Sequence, residues 1–380
     1  VIDRRYRPGH RHGRLTLVDH VVPEEPEPWR VLLAPSCPPD RFEPGRALFI
    51  DLETTGLAGG AGTYAFLVGF GWFERTSFHV RQFLMTSHAA EPALLHAVTA
   101  LASDAHVVVS YNGKTFDLPL IETRFLFNRL SPPFADVPHL DMLHQARRLW
   151  RTDDHADQAD AAGCRLSVLE QSVCGHTRDG DVPGFDIPSR YFHYVRTGDA
   201  RPLAGVIEHN RLDLLSLAML TARAARLVEE GARSARTARE AIGLGRLYER
   251  AGMPHKAIPC FARASGLDAS VALPGDHSTK AEALRAYARS SRRARAHADA
   301  ARAWSALLGM PQCPPRILGE AAEALAVHHE HRLRDPRQAH ALALTSLPLQ
   351  RSTARRQAVE HRLARLDRKM NVRPDIAALF

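Results

Sequence analysis

The sequence predicts an α/β domain built on a mixed sheet with flanking helices, followed by an all-α domain of helical hairpins. Three observations carry this. Strand-like runs at 47–53, 64–74 and 77–85 stand close enough to form an antiparallel meander. Strand and helix patterns then alternate: an amphipathic stretch at 90–102, a strand at 106–111, a helix at 116–129 and a short strand at 139–143. From about residue 238 the chain turns rich in Ala and Arg, with helical spacing and no strand signal. Taken in order, residues 1–46 carry PEEPEPW and CPPDRFEPG, and prolines at that density predict an irregular extension. Within 150–200, RTDDHADQADAAG reads as an exposed loop, RLSVLEQSV as a short helix, and GFDIPSRYFHYVR as a turn into another helix. Apolar residues recur at helical spacing through 202–220. The expected segments are therefore 1–46, 47–230 and 238–380.

The acids carry the chemistry. In LFIDLETTGL, residues 48–57, Asp51 and Glu53 are two apart in a strand and project from one face. Two such carboxylates repel, and one must stay protonated unless a hard cation such as Mg²⁺ or Mn²⁺ neutralises both. Acids at strand ends are also common on solvated surfaces, so the pair alone leaves both readings open. Asp117 falls in the first turn of the helix after VVVSYNG, where an acid serves a cap or the helix dipole as readily as a metal. His209 and Asp213 interrupt the apolar helix four residues apart, about 40° apart on its surface and one turn displaced. That spacing suits a metal carboxylate with a base, and equally a solvated helix pair.

Together the strings DLETTGLAGGAGTYAFLVG, SYNGKTFDLPLIETR, HLDMLHQARRLW and VIEHNRLDLLSLAML, over roughly residues 45–225, resemble the DEDD (DnaQ-like) 3′ to 5′ exonucleases of the ribonuclease H-like superfamily, most of all their YprB-type branch. The resemblance implies a ribonuclease H-like fold and two-metal phosphodiester hydrolysis. It puts Asp51 and Glu53 in the first motif, Asp117 in the second and Asp213 in the third, as ligands to two divalent cations, Mg²⁺ or Mn²⁺. His209 takes the place of the general base, and an imidazole with an ordinary pKa of about 6.5 suits that task. One departure is visible: three residues separate His209 from Asp213, the spacing of the tyrosine subgroup, whereas the histidine subgroup has four. Thr54, Thr55 and Gly56 lie, by resemblance, along the terminal nucleotide. Asn112 is either a nucleotide contact or, with Gly113, simple turn chemistry. Asp141, at another strand end, reads as structural. Tyr64, Phe66 and Phe116 sit in apolar segments where core packing is the first expectation and base stacking the second.

Beyond residue 238, AIGLGRLYERAGMPHKAIPCFARA resembles one tetratricopeptide repeat, with Leu244, Gly245, Tyr248, Gly252, Ala257, Phe261 and Ala264 at the signature positions. One hairpin cannot bury its own apolar face, so further hairpins are expected to stack on it, either as a binding surface for a protein or nucleic acid or as a structural cap. The formal charge of +8 favours a polyanionic partner, DNA or RNA. Arginines cluster at 289–295 and 351–365, on what are usually solvated helix faces but also a path for a nucleic-acid backbone. The five cysteines are scattered without C-x-x-C spacing, so the thiols indicate neither disulfides nor zinc. No run approaches a membrane span and no apolar leader is visible, which points to a cytoplasmic protein. The sequence therefore predicts a metal-dependent 3′ to 5′ exonuclease with a helical repeat domain. The alternatives are an endonuclease on the same site, or a silent nucleic-acid-binding adaptor acting through its repeats.

Overall fold

Strand pairing is laid out in a computed structural model that describes residues 1–17, 19, 21–22, 24–34, 46–56, 62–151, 164–267 and 273–371. The predicted loop RTDDHADQADAAG after its first residue, the segment CPPDRFEPG with Cys37, and Leu57 with Gly59 and Gly60 lie outside the described residues. The chain divides into two units, Val1–Glu230 and Gly231–Phe380.

In the first unit a six-stranded mixed sheet runs, edge to edge, through Ile2–Tyr6 (β1), Ser77–Leu84 (β6), Ala65–Glu74 (β5), Ala47–Thr54 (β4), Val107–Ser110 (β7) and His139–Asp141 (β8). β4, β5 and β6 form the antiparallel meander, while β7 and β8 add in parallel to β4. The parallel additions need crossovers, supplied by α2 (Glu91–Ala102) and α3 (Asp117–Phe127). Leu48, Ile50 and Leu52 point to the core they share with Leu118, Ile121 and Phe125 of α3 and with α6 (Ile187–Thr197), whose Tyr191 stacks on Phe66 at 4.1 Å. Phe49, Asp51 and Glu53 therefore face the other way, towards α7 (Leu203–Glu230). Gly69 in β5 lets that helix come close. A Cβ at Gly69 would collide with Asn210 and lie 2.9 Å from Leu214 Cδ1.

The expectation of an irregular segment over 1–46 is corrected. Residues Ile2–Tyr6 form edge strand β1, antiparallel to β6, with Arg81 donating to Asp3 at 2.6 and 2.9 Å. β2 (Arg11–His12) and β3 (Leu15–Thr16) make a small hairpin, and α1 (Pro26–Leu33) buries Trp29, Val31 and Leu32. Charged side chains are what an exposed edge strand carries, and proline in a first helical turn removes only donors that have no partner there, so composition hid both elements.

After β8 come α4 (Met142–Leu149) and, beyond the undescribed stretch, α5 (Leu166–Leu169), which continues as a π-helical turn over Glu170–Cys174. The second unit is all helix: α8 (Ala238–Arg250), α9 (Pro254–Ser265), α10 (His277–Arg293), α11 (His297–Leu308), α12 (Pro315–His328), α13 (Pro336–Ser346) and α14 (Thr353–Asn371). Each helix packs on its neighbour in sequence. Gly245 lets α8 meet α9, since a Cβ there would lie 2.5 Å from the Phe261 ring. Many of the clustered arginines are ties between helices: Arg289 pairs with Glu320 at 2.9 Å, and Arg362 and Arg365 each reach Glu330 at 2.8 Å. Cys164, Cys174, Cys260 and Cys313 are free and buried. No described helix is long and apolar enough to cross a membrane.

Candidate active site

The site lies at the carboxyl ends of parallel strands β4 and β7, where loops leave an α/β sheet and donors from separate segments meet. β4 delivers Asp51 and Glu53 on one face, and a register shift between Glu53 and Thr54 ends its regular pairing with β5. β7 delivers Asp117 through a tight turn. There Asn112 takes a positive φ of 65°, and its N–H donates to Asp141 Oδ1 at 2.8 Å. Asp141 also accepts from the N–H groups of Lys114 and Leu143, so its buried carboxylate shapes the turn and caps α4. Gly113 completes the turn, because a Cβ there would crowd Ser110 and lie 3.0 Å from Asp117 Oδ2.

Helix α7 is anchored by Asn210, fully buried on its sheet-facing side. Its amide donates to the Asp51 carbonyl at 3.1 Å and to Asp51 Oδ2 at 2.7 Å, and its Oδ1 accepts from Gln82 at 2.8 Å. With that register set, His209 and Asp213 stand on adjacent turns, His209 Nε2 lying 3.5 Å from Asp213 Oδ2. The other ring nitrogen, Nδ1, is 2.6 Å from Asp181 Oδ1. Arg178 ties the group together: its guanidinium donates to Asp213, to Asp181 at 3.2 Å and to Glu170 at 2.6 Å. Arg178, Asp181, Asn210 and Glu170 were not singled out from sequence. Asn210 had a readable signal, a polar residue on the apolar face of a helix, whereas the other three had none in their local pattern.

Electrostatics set the site's demand. Burial holds the Asp51 carboxyl well above the usual range, reinforced by Asp213, Glu53 and Asp117 and opposed by the Asn210 hydrogen bond. Glu53 is raised by burial and then by Asp213 and Asp117. Asp117 is pushed up to about 7 by burial and by Asp141. Glu53 Oε1 is buried without a hydrogen-bond partner. A carboxylate oxygen with no donor, beside further acids whose charges destabilise one another, fits a divalent cation as its missing counter-charge. Asp51, Glu53, Asp117 and Asp213 are the side chains that could hold it, once their donor atoms draw together.

Beside the acids is an open cleft of about 540 Å³, lined by Glu53, Thr54, Gly56, Asp117 and His209. Exposed rings of Phe116 and Phe185 flank it, 54% and 79% accessible. The expectation of core packing holds for Phe66 and is corrected for Phe116; Tyr64 is partly buried beneath the Arg124 guanidinium, 4.2 Å from its centroid. Thr54 Oγ donates to the Gly56 carbonyl at 2.9 Å, and Thr55 Oγ accepts from Tyr64 N at 3.0 Å, so both hydroxyls shape the strand end. At Gly56 a Cβ would meet nothing nearer than Thr63 Oγ at 4.0 Å, which leaves its backbone open to the cleft. Asn112 is not among the lining residues and acts as a turn residue.

This geometry has a counterpart among known proteins. Residues 48–225 match a family model, RNase_H_2, of the RNase_H superfamily. An uncharacterized protein, YprB of Bacillus subtilis (strain 168), is 36% identical over 180 residues, which are 47% of this chain and 42% of that protein. The match thus spans less than half of the relative's own length. Together with the mixed sheet, these matches support a ribonuclease H-like fold for the first unit. A family B DNA polymerase from the hyperthermophilic archaeon Pyrobaculum calidifontis aligns with 58% of this chain and 29% of its own, at a TM-score of 0.39 and 13% identity, too slight a likeness to add to that.

Proposed function

We propose that this protein is a metal-dependent 3′ to 5′ exonuclease of the DEDD type, hydrolysing phosphodiester bonds at a single-stranded end of DNA or RNA. The observation that carries the reading is that Glu53, Asp117 and His209 line one cleft, with Asp51 close enough to be raised by these acids and Glu53 Oε1 buried and unpaired among them. The ribonuclease H-like superfamily commonly includes nucleases, which favours the same conclusion. When bound, two Mg²⁺ or Mn²⁺ ions would neutralise the acids and lower the barrier to attack on phosphorus. His209 is placed to accept the proton of the attacking water at Nε2, because Asp181 engages Nδ1 and so favours the tautomer with the proton on that side. Phe116 and Phe185 offer faces on which terminal bases stack irrespective of sequence. The backbone at Gly56 lets a nucleotide approach. The 3′ to 5′ polarity comes from the motif resemblance. The helical hairpins are read as tetratricopeptide-like, a surface for a protein partner, in a cytoplasmic protein.

The test is degradation of 5′-labelled single-stranded DNA and RNA with Mg²⁺ or Mn²⁺, comparing the natural protein with Asp51→Ala and His209→Ala. A ladder shortening from the 3′ end, lost in Asp51→Ala and slowed in His209→Ala, supports the reading. Internal fragments from the first time point would make it an endonuclease. Binding without cleavage of either polymer would leave the adaptor.

A further inference from the structure

Apart from the four acids, one group of side chains among the described residues has the donors to hold a metal ion. The donor atoms of His12, Glu170 and His176 all lie within 4.8 Å of one another. Local backbone features bring them together. The π-helical turn over Glu170–Cys174 closes at Gly175, in the left-handed region at φ +69°, and the His176 N–H donates back to the Glu170 carbonyl at 3.1 Å. That reversal sets the imidazole beside the carboxylate six residues earlier, and π-turns are frequent at functional positions. The β2–β3 hairpin supplies the third donor. Arg14 N donates to the Cys174 carbonyl at 2.8 Å, and Gly13, at φ +63°, packs so close to this segment that a Cβ would lie 2.6 Å from His176 N. His12 is thereby stacked on His176 with ring centroids 4.2 Å apart, and its Nε2 lies 3.0 Å from Glu170 Oε1.

The chemical state of each group suits coordination. His12 and Glu170 are almost fully buried, at 2% and 1% side-chain exposure, and His176 at 28% gives solvent an entry. His12 Nε2 also lies 2.8 Å from Ser216 Oγ, so in the metal-free chain the buried imidazole, carboxylate and hydroxyl share one hydrogen-bonded network that an ion would have to replace at that nitrogen. Arg178 engages Oε2 and leaves Oε1 facing the two histidines, while Ser216 donates to Oε1 at 2.5 Å as an outer support of the kind that orients metal carboxylates. Around Arg178 stand three carboxylates, Glu170, Asp181 and Asp213, so its single charge does not saturate the neighbourhood.

We propose that His12, Glu170 and His176 form a second metal site that takes a borderline transition-metal ion of the Zn²⁺ class, fastening the N-terminal hairpin to the turn that carries Glu170. Two imidazoles and one carboxylate are a zinc donor set, with a fourth position for water, and are a poor set for Mg²⁺, which asks for oxygen alone. Glu170 also contacts Arg178, which holds Asp213, so the ion would sit one guanidinium away from the acid site. The site does not depend on the nuclease reading.

The experiment is Zn²⁺ binding by calorimetry to chelator-treated full-length protein, with excess Mg²⁺ present, for the natural chain, Asp51→Ala and His176→Ala. One Zn²⁺ per chain, retained in Asp51→Ala and at least about tenfold weaker in His176→Ala, is the expected result. Because His176 is partly exposed, its variant should fold, and circular dichroism checks this. Cobalt substitution gives an independent reading: a visible absorption band of nitrogen and oxygen coordination, present in Asp51→Ala and lost in His176→Ala. No zinc bound by Asp51→Ala, or equal binding by His176→Ala, overturns the site and leaves a buried ion pair between His12 and Glu170.

Discussion

Replacing Asp117 by Asn should make the metal-free protein more stable while removing its activity. The folded chain holds the Asp117 carboxyl at about 7 against an ordinary 3.8, so folding meets a penalty for ionising it. Three pK units correspond to about 4 kcal/mol, and because Asp141 and Asp213 share in raising Asp117, the part that one substitution relieves is taken as about 2 kcal/mol. The sign follows from linkage: the raised group is neutral in both states below pH 3.8, and its penalty grows as pH rises, becoming complete above about 7. In chelator the natural protein should therefore lose stability between about pH 4 and pH 7. Asp117→Asn should show a shallower loss and at pH 8 melt about 4–8 °C higher. Asp51 and Glu53 contribute in the same direction and remain in the variant. Adding Mn²⁺ should reverse the order, since the ion binds the folded acids of the natural chain better and stabilises by mass action. Scanning calorimetry with and without Mn²⁺ is the assay. Parallel pH curves for the two proteins, or equal stabilisation of both by Mn²⁺, would refute the account of the acids as a cation site.

Further outcomes follow from single contacts. If the proposed nuclease activity is found, Asp181→Asn removes the carboxylate on His209 Nδ1 and should lower kcat by at least about tenfold with KM little changed, measured on an oligonucleotide that the natural protein degrades; an equal rise in KM would make Asp181 a substrate contact instead. Gly69→Ala drives a methyl into Asn210 and Leu214, so activity and stability of the first unit should fall together, by about 1–3 kcal/mol in stability. Gly245→Ala overpacks Phe261 in the helical unit by a similar amount, and should lower that unit's melting while Mn²⁺ binding by the acids is unchanged. His139, held at about 4 by burial against an ordinary 6.5, stabilises the neutral fold above pH 6.5, and this stabilisation is lost as pH falls through 4; a His139→Gln variant should show a weaker decline in melting temperature over that window.

The strands and helices from β4 onward in the first unit were legible because their signals are local. The apolar runs that became β4, β5 and β6 differ from the observed bounds by a residue or so, and Asp51 and Glu53 share a face through strand alternation alone. His209 and Asp213 share theirs through the helical period. The edge strand Ile2–Tyr6 and helix Pro26–Leu33 were not legible, because their partners are distant and their composition is charged or proline-rich. Phe116 looked like core from its apolar neighbours, yet its exposure depends on what packs over the start of α3.

By itself the sequence determined which side chains are acids, their order and spacing, and which share a face, all set within a few residues by backbone geometry. Tertiary structure alone decided what those acids meet. Asn210 reaches Asp51 across 159 positions, Arg178 reaches Asp213 across 35, and His12 meets Ser216, beside Glu170, across 204. No periodicity spans such separations. They are settled by which faces bury together, and burial, more than residue identity, is what raises Asp51, Glu53 and Asp117 and leaves one Glu53 oxygen without a partner.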